Sequence, residues 1–420
     1  MLLNPGVQPT YKGHIGIPFL SGIHSNIGTS EVTFADLFRN DNVDFNIKVR
    51  NAISRITSDD YVSFNNQIEI LSGSYKLNNK DYLSVGFYTE IDVFSNYPKD
   101  IIELVNDGNG TNLNKTFLLS QVNVKAEGIS VLHAGISRKL NSKLTVGTRL
   151  KIYSGIANIM STNNTGSFYT ELGSDNIYTH YLSNLNFNGY SSGVSFDREV
   201  TSKDIISKAF FKNLGLGFDI GIVYQLDKQT RLTASLLDIG FVNYSEDIKN
   251  IRARGSYTFS GIEFQYDSAN SNYWEDLKND LESRVPSGEN KESYSVMRPI
   301  KFNASYKYSW GRSRNEKNCS DMTYRDFYNN AVGAQLFSVF RPTGPKIALT
   351  GFYEKRLSKK INTKLTYTID DFSYKNFGFG LSTKIGKFQL YGLIDNIFEL
   401  TDIADSNSAS FQMGINLIFK

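Results

Sequence analysis

Few side chains in this 420-residue sequence have the types and spacings needed to bind a metal or carry catalysis. The sequence contains four histidines, and none has a second histidine at a spacing that would place two imidazoles on one zinc ion. They are His14, His24, His133 and His180. The sequence therefore predicts no zinc site and no cofactor.

One segment has oxygen-bearing side chains at the alternate spacing of a calcium-binding loop. Asp107, Asn109 and Thr111 alternate with glycines, as ligands do in such a loop. The position that normally supplies a bidentate glutamate is Leu118 here. These three residues are a calcium candidate, and the alternative interpretation is a helix end followed by a turn.

Catalytic motifs do not emerge either. The sequence has no Gly-x-Ser-x-Gly nucleophile elbow, and its serine, histidine and aspartate residues form no ordered set. Gly215 and Gly217 continue into a strand pattern instead of opening a helix, so they are not a dinucleotide fingerprint. We predict a nonenzymatic protein without catalytic or cofactor-binding residues.

Most of the regular secondary structure in this sequence is predicted to be β-strand. Apolar side chains occupy every second position in many runs, as in the last strand, where Phe411, Met413, Ile415, Leu417 and Phe419 share one face. No run approaches the length of a membrane-spanning helix, whereas about 9 to 11 tilted strand residues cross a bilayer. The pattern predicts an all-β fold, an antiparallel transmembrane β-barrel of about 14 strands, within a range of roughly 12 to 16. Further strands are predicted at residues 118–126 and 252–266.

Connections between the predicted strands alternate between short and long. Short turns include residues 141–142, 227–228 and 386–387, and the long connections are residues 94–116, 155–208, 267–295 and 311–325. This alternation is typical of a barrel with one rim toward the periplasm and the other toward the outside. Short loop helices are predicted within residues 29–38, 98–105 and 273–281.

Nine charged residues alternate with the apolar ones in these strands. They are Glu90, Asp92, Arg149, Lys151, Asp219, Lys301, Lys307, Lys364 and Lys384. An Arg or Lys on the lipid face would cost about 2 to 4 kcal/mol at the bilayer midplane, so we predict that these side chains face the lumen. Six of the nine are basic, which fits either an anion-preferring pathway or a network of interior salt bridges. The sequence leaves both interpretations open.

Composition narrows the choice of partners. The chain has 45 basic and 42 acidic residues, so it has no charge excess that would favour nucleic acid as a partner. A mean hydropathy of -0.32 agrees with a barrel, because only half of each strand must be apolar.

The single cysteine, Cys319, excludes an internal disulfide framework. No signal peptide is visible at the start, which fits a cytosolic protein or, as we expect, a processed form.

Several short blocks follow one another in a set order along the chain, at residues 3–5, 16–21, 98–110, 213–224, 237–241 and 259–264. In this order they resemble a family of Bacteroidota outer-membrane proteins of unknown function. The start and the Asp-x-Gly strand are also similar to fatty-acid-transporter-like barrels and to barrels of gliding and type 9 secretion. The resemblance implies an outer-membrane barrel of about 14 strands with its N-terminal stretch tucked toward the lumen, and it implies no chemistry.

The sequence thus predicts one barrel domain over residues 1–420, with residues 1–40 as a lumen-facing N-terminal segment. We expect it in the cell outer membrane, in contact with lipid and with other envelope proteins as possible partners. Two roles remain open, a transport channel for small or hydrophobic solutes and an accessory subunit of a secretion-type complex. The alternatives are an outer-membrane acyl hydrolase and a secreted soluble all-β binding protein.

Overall fold

Strands dominate the described part of the protein. The computed structural model describes residues 2–173, 178–194, 209–260, 279, 282–283, 285, 287–312 and 328–419. In chain order the strands are β1 (Gly13–Gly16), β2 (Gly22–Thr29), β3 (Tyr61–Lys76), β4 (Asp81–Asn96), β5 (Phe117–Leu118), β6 (Val124–Lys139), β7 (Leu144–Ser161), β8 (Thr165–Leu172), β9 (Tyr178–Ser192), β10 (Leu214–Gln225), β11 (Thr230–Tyr244), β12 (Asn250–Phe259), β13 (Ser287–Asn290), β14 (Tyr294–Met297), β15 (Lys301–Arg312), β16 (Tyr328–Arg341), β17 (Gly344–Arg356), β18 (Ile361–Ile369), β19 (Asn376–Ile385), β20 (Phe388–Ile394) and β21 (Ser408–Phe419).

Sixteen of these segments close into an antiparallel barrel of fourteen wall strands. β1 and β2 are parts of one wall strand, because both pair with β3 on one side and with β21 on the other. β14 and β15 both pair with β11 and form a second interrupted strand. Pairing of Gly13 with Phe419 joins the first strand to the last and closes the sheet. The prediction of an all-β barrel of about 14 strands is confirmed.

Side chains of the wall strands alternate between an outward apolar face and the lumen. In β7, Leu150 is 69% exposed while the adjacent Arg149 is 2% exposed. In β21, Phe411 and Met413 are exposed, whereas Gln412 lines a cavity inside the barrel. Because a strand turns successive side chains to opposite faces, this alternation builds an apolar belt around a polar interior.

Replacing Leu150 with arginine should weaken folding into a bilayer, because the charge would enter the apolar belt. We expect a loss of about 2 to 4 kcal/mol if Leu150 lies at the bilayer midplane. The measurement is urea-dependent unfolding in liposomes. Val105→Arg is the control, because Val105 is 81% exposed on a helix outside the barrel wall. Equal stability of both variants would contradict the assignment of the belt to lipid.

The two ends of the barrel differ. The turn rim is the end at which β1 begins, β21 ends and the β3–β4, β6–β7 and β10–β11 turns lie. The loop rim is the opposite end. The prediction that the long connections share one rim is wrong for residues 311–325, because β15 ends and β16 begins at the turn rim. The short connection from β16 to β17 lies at the loop rim.

A second sheet extends from the loop rim and consists of β5, β8, β9, β12 and β13. β8, β9 and β13 lie in connections that the sequence predicted as loops. β12 lies in the predicted wall strand at residues 252–266 and corrects it, as far as Phe259, because it belongs to this second sheet. Residues 261–266 lie outside the described residues. The second predicted strand that needs correction is residues 118–126, which contain a 3₁₀ turn, Leu119–Gln121, between β5 and β6. The loop-rim sheet has no apolar belt, so its strands alternate less clearly.

The α-helices described in full lie in the loop-rim connections. They are α1 (Phe34–Phe38), α2 (Phe45–Arg55) and α3 (Lys99–Asp107), and a 3₁₀ turn spans Leu400–Asp405. α1 and α3 fall in predicted helical segments, α2 was missed, and the helix predicted at residues 273–281 lies outside the described residues. No helix in the described ranges has the length and apolar character to cross a membrane.

Candidate functional site

Ten charged side chains form a central network inside the barrel, with five acids and five bases. The acids are Glu90, Asp92, Glu127, Asp219 and Asp238, and the bases are Arg149, Lys151, Arg298, Lys301 and Arg341. The wall strands β4, β6, β7, β10, β11, β15 and β16 and the break before β15 contribute them. Formal charge is therefore balanced within the network.

Arg298 occupies the break between β14 and β15 and joins two wall strands through their carboxylates. Its guanidinium donates to Glu90 at 2.9 Å and also to Glu127, and the arginine side chain is fully buried. Lys301 lies 2.8 Å from Glu90 and 3.1 Å from Asp238. Breaking the strand at this point lets Arg298 reach inward between two carboxylates that the regular strands present.

Arg149, Lys151 and an irregular strand pair hold the second half of the network. Lys151 lies 2.9 Å from Asp219 and 2.5 Å from Asp238, and Arg149 lies 3.2 Å from Asp219. The backbone N–H of Asp238 also donates to the Asp219 carboxylate at 2.8 Å. Asp238 reaches this position at a register shift between β10 and β11, where its φ is 60°.

Arg341 and Asn65 complete the network on the other side of Glu90. Arg341 forms two hydrogen bonds with the Asp92 carboxylate, at 2.5 and 2.9 Å. The Asn65 amide donates to Glu90 at 3.0 Å and to Asp92 at 3.1 Å, so it separates two carboxylates on one strand. Mutual pairing of this kind offsets the desolvation of buried charges and fixes the wall strands relative to one another.

The nine residues predicted to face the lumen fall into three groups. Six lie in the central network: Glu90, Asp92, Arg149, Lys151, Asp219 and Lys301. Lys307 and Lys364 both approach Glu354, Lys364 at 3.9 Å, in a smaller cluster nearer the turn rim. Lys384 lines a cavity that opens at that rim. The structure therefore places salt bridges at mid-barrel and basic side chains toward the turn rim.

Residues 2–8, which we call the N-terminal segment, lie along the inner wall next to the network. The Asn4 amide donates to the backbone oxygens of Ile222 at 3.1 Å and Ala234 at 3.0 Å. A Cβ on Gly147 would lie 2.1 Å from the Pro5 oxygen, so the wall approaches the segment closely only because that residue is glycine. Of the predicted lumen-facing range 1–40, residues 13–16 and 22–29 are instead wall strand.

Three cavities adjoin one another inside the barrel, and the N-terminal segment lines two of them. The loop-side cavity has a volume of about 390 Å³, the middle cavity about 250 Å³ and the turn-side cavity about 490 Å³. The middle cavity shares Leu3 with the loop-side cavity and Lys364 with the turn-side cavity. The loop-side and turn-side cavities also share Leu393 and Gln412. The shared residues form a continuous series of cavities between the two rims.

The loop-side cavity contains three carboxylates outside the central network, and one of them, Asp371, lies 3.6 Å from Lys346. Asp395 accepts from Ser410 at 3.0 Å, and Asp370 accepts from the backbone N–H of Phe372 at 2.9 Å. No cation forms an ion pair with Asp395 or Asp370 among the residues that the structure describes. Burial raises the pKa of both carboxyl groups, which lie just beyond the ends of β20 and β18.

The remaining candidate residues are held by local contacts. Asn109 donates to Thr170 at 3.3 Å, and the Thr111 hydroxyl donates to the Asp107 backbone oxygen at 2.9 Å. These contacts fit the helix end and turn that the sequence offered as an alternative to calcium. In the described ranges, no group of three or more histidine, cysteine or acidic residues is arranged to hold a metal ion.

One histidine contacts a serine inside the barrel. His14 Nδ1 approaches Ser74 Oγ, which also hydrogen-bonds to the Tyr82 hydroxyl at 2.9 Å. Within the described residues, no carboxylate forms an ion pair with His14. The pair therefore lacks the acid that orients the imidazole in serine hydrolases.

Four network residues were missed by the sequence reasoning: Glu127, Asp238, Arg298 and Arg341. Glu127 falls between two predicted strands that are a single strand, β6, in the structure. Arg298 precedes Pro299 in a break where no alternation exists to show its direction. The predicted lumen residues included more basic than acidic side chains. This imbalance was the available signal that further acidic residues face the lumen.

Comparison with known proteins gives one sequence family. A family model described as "Family of unknown function (DUF5723)" matches residues 5–395. No curated protein matches the chain.

Solved structures with a similar arrangement include a channel, a transporter and a FadL homologue. The "CymD monoaromatic hydrocarbon channel" is 11% identical with a TM-score of 0.42, over 99% of this chain and 91% of that chain. The Ralstonia pickettii toluene transporter TbuX is 11% identical with a TM-score of 0.41, over 99% and 92%. A Pseudomonas aeruginosa FadL homologue is 8% identical with a TM-score of 0.46, over 99% and 93%. Likeness at this level carries no functional argument.

Proposed function

The chain belongs to the Family of unknown function (DUF5723), and from that premise and the geometry of the lumen we propose that it is a nonenzymatic outer-membrane barrel that transports a small solute. The observation that carries the proposal is the series of three cavities with shared lining residues between the rims. A solute passing along this series would move beside the N-terminal segment. The central network would remain in place against the wall.

Location in the outer membrane is supported by the form of the barrel. A closed barrel satisfies every backbone group of its wall within the sheet, which a bilayer requires. An even number of strands, an outward apolar belt and several short turns at one rim are features of bacterial outer-membrane barrels. On this basis we infer that the turn rim faces the periplasm.

Narrowing the lumen should reduce conductance if the cavities form the path. Gln412 lines both the loop-side and the turn-side cavity, so a tryptophan at this position would occupy the space between them. We expect Gln412→Trp to lower the single-channel conductance of the purified protein in planar bilayers several-fold.

Met413→Trp is the matched control, because the adjacent side chain lies on the exposed outer face of the same strand. Its conductance should equal that of the unmodified protein. A barrel that gives no current steps in either form would contradict the transport proposal, and so would equal conductance of Gln412→Trp and Met413→Trp.

A scaffold role is the second candidate, and the loop-rim sheet favours it. Aromatic rings stack on this sheet, with Tyr169 and Tyr181 4.4 Å apart and Phe168 and His180 6.1 Å apart between ring centroids. Aromatic surfaces of this kind are common where proteins bind one another. Co-purification of an envelope protein with a barrel that does not conduct, lost on removal of Tyr169 and Tyr181, would support this role over transport.

A further inference from the structure

The turn-side cavity has a much larger excess of basic over acidic side chains than the rest of the lumen. Among the described residues it has seven basic side chains and one acidic side chain, Glu354. The basic residues are Lys228, Arg231, Lys307, Arg356, Lys359, Lys364 and Lys384. Lys355 also borders the cavity, but its side chain lies on the outer face, because it pairs across the strands with Asn330 and Asn330 pairs with the outward Trp310. Seven positive charges against one negative charge leave a formal charge of +6 on the lining.

This concentration of charge is local. The whole chain has a formal net charge of only +3, so the lining of one cavity exceeds the excess of the entire protein. Glu354 already approaches two of the lysines, Lys307 and Lys364. Residues 313–327, which follow β15 in the sequence, contain three bases and three acids. The bases are Arg314, Lys317 and Arg325, and the acids are Glu316, Asp321 and Asp326.

Charge changes along the series of cavities. The central network beside the loop-side cavity has five acids and five bases, and Asp370 and Asp395 lie farther from the turn rim. A cleft lined by one sign of charge between low-dielectric walls concentrates ions of the opposite sign. This difference in charge between the cavities would therefore hold an anion on the turn-rim side of the network.

We propose that the turn-side cavity binds a small anionic solute bearing carboxylate or phosphate groups, and that it makes the channel prefer anions. The anion preference of the channel rests on the proposed transport function. Anion binding in the turn-side cavity does not require that the barrel conducts. Lysines bind such groups as point charges, and arginines bind them with paired N–H donors. The polar lining, which includes Ser382 and Gln412, supplies further hydrogen bonds to an oxygen-rich solute.

The test compares two pairs of charge reversals at the same rim. Lys364→Glu with Lys384→Glu changes the lining of the cavity. Lys360→Glu with Lys387→Glu makes the same change in net charge in two turns at that rim, at lysines that do not line the cavity. The full-length protein is reconstituted in phosphatidylcholine bilayers, and the reversal potential is measured in a KCl gradient. Binding of inorganic phosphate to the protein in detergent is measured in parallel by calorimetry.

We expect the unmodified protein and the control pair to prefer chloride and to bind phosphate, and the lining pair to lose both properties. Cation preference of the unmodified channel, or equal behaviour of the two pairs, would overturn the inference while leaving transport intact. A silent barrel whose phosphate binding is lost only in the lining pair would support the binding site and contradict transport. A silent barrel in which both pairs bind phosphate alike would overturn both proposals.

Discussion

Arg298→Met is expected to destabilise the barrel by about 3 to 5 kcal/mol, the usual cost of breaking a buried ion pair by removing one partner. The fully buried guanidinium donates to both Glu90 and Glu127. Methionine fills a similar volume but leaves the two carboxylates without their shared cation. The free energy of unfolding, measured by urea titration in liposomes, should report the loss.

Two further variants separate lost charge pairing from lost volume. Lys212→Met removes an ion pair with Glu246 in which both side chains are exposed, so solvent screens it and the change in stability should be much smaller. Glu127→Gln in the Arg298→Met background removes one stranded charge while keeping an acceptor for the Tyr244 hydroxyl. We expect this double variant to recover part of the stability. Equal stability of Arg298→Met and Lys212→Met would show that the network does not stabilise the wall.

The wall of the barrel was predictable because lipid and lumen impose opposite demands on successive residues. β19 and β21 alternate strictly, so their apolar faces were visible from sequence. The first wall strand was missed because it is split into β1 and β2, and the residues between them interrupt the period. The strands of the loop-rim sheet lie beyond the belt, so no lipid selects an apolar face in β8 or β9.

Six of the ten network residues follow from the same alternation, and two of the other four, Asp238 and Arg298, depend on departures from it. Glu90 and Lys151 stand at regular inward positions of β4 and β7 and were predicted to face the lumen. Asp238 lies at a register shift and Arg298 in a strand break, where a period of two no longer assigns a face. The sequence therefore indicated more basic than acidic residues in the lumen. It left two interpretations open, an anion-preferring pathway and a network of interior salt bridges. The structure has salt bridges at mid-barrel and a basic cavity near the turn rim, and anion preference remains a proposal.

Gly147→Ala is expected to release the N-terminal segment from the wall and to raise channel conductance several-fold. The added Cβ would lie 2.1 Å from the Pro5 oxygen and 2.6 Å from the Gly6 nitrogen, closer than such atoms can approach. Gly147 is fixed by strand pairing on both sides, opposite Ser137 and Gly221. The segment is held by fewer contacts, so the segment should move rather than the wall.

Conductance and thiol labelling would report this release independently. In a Cys319→Ser background, which has no other cysteine, Val7→Cys places a thiol on the segment beside the middle cavity. Adding Gly147→Ala should increase both the labelling rate of that thiol by a soluble maleimide and the single-channel current. Gly128→Ala is the matched control, because a Cβ on that glycine of the adjacent strand β6 meets no atom within 4 Å. An equal labelling rate in Gly147→Ala and Gly128→Ala would show that the added Cβ does not release the segment. Faster labelling in Gly147→Ala with an equal current would show that the N-terminal segment does not restrict the lumen.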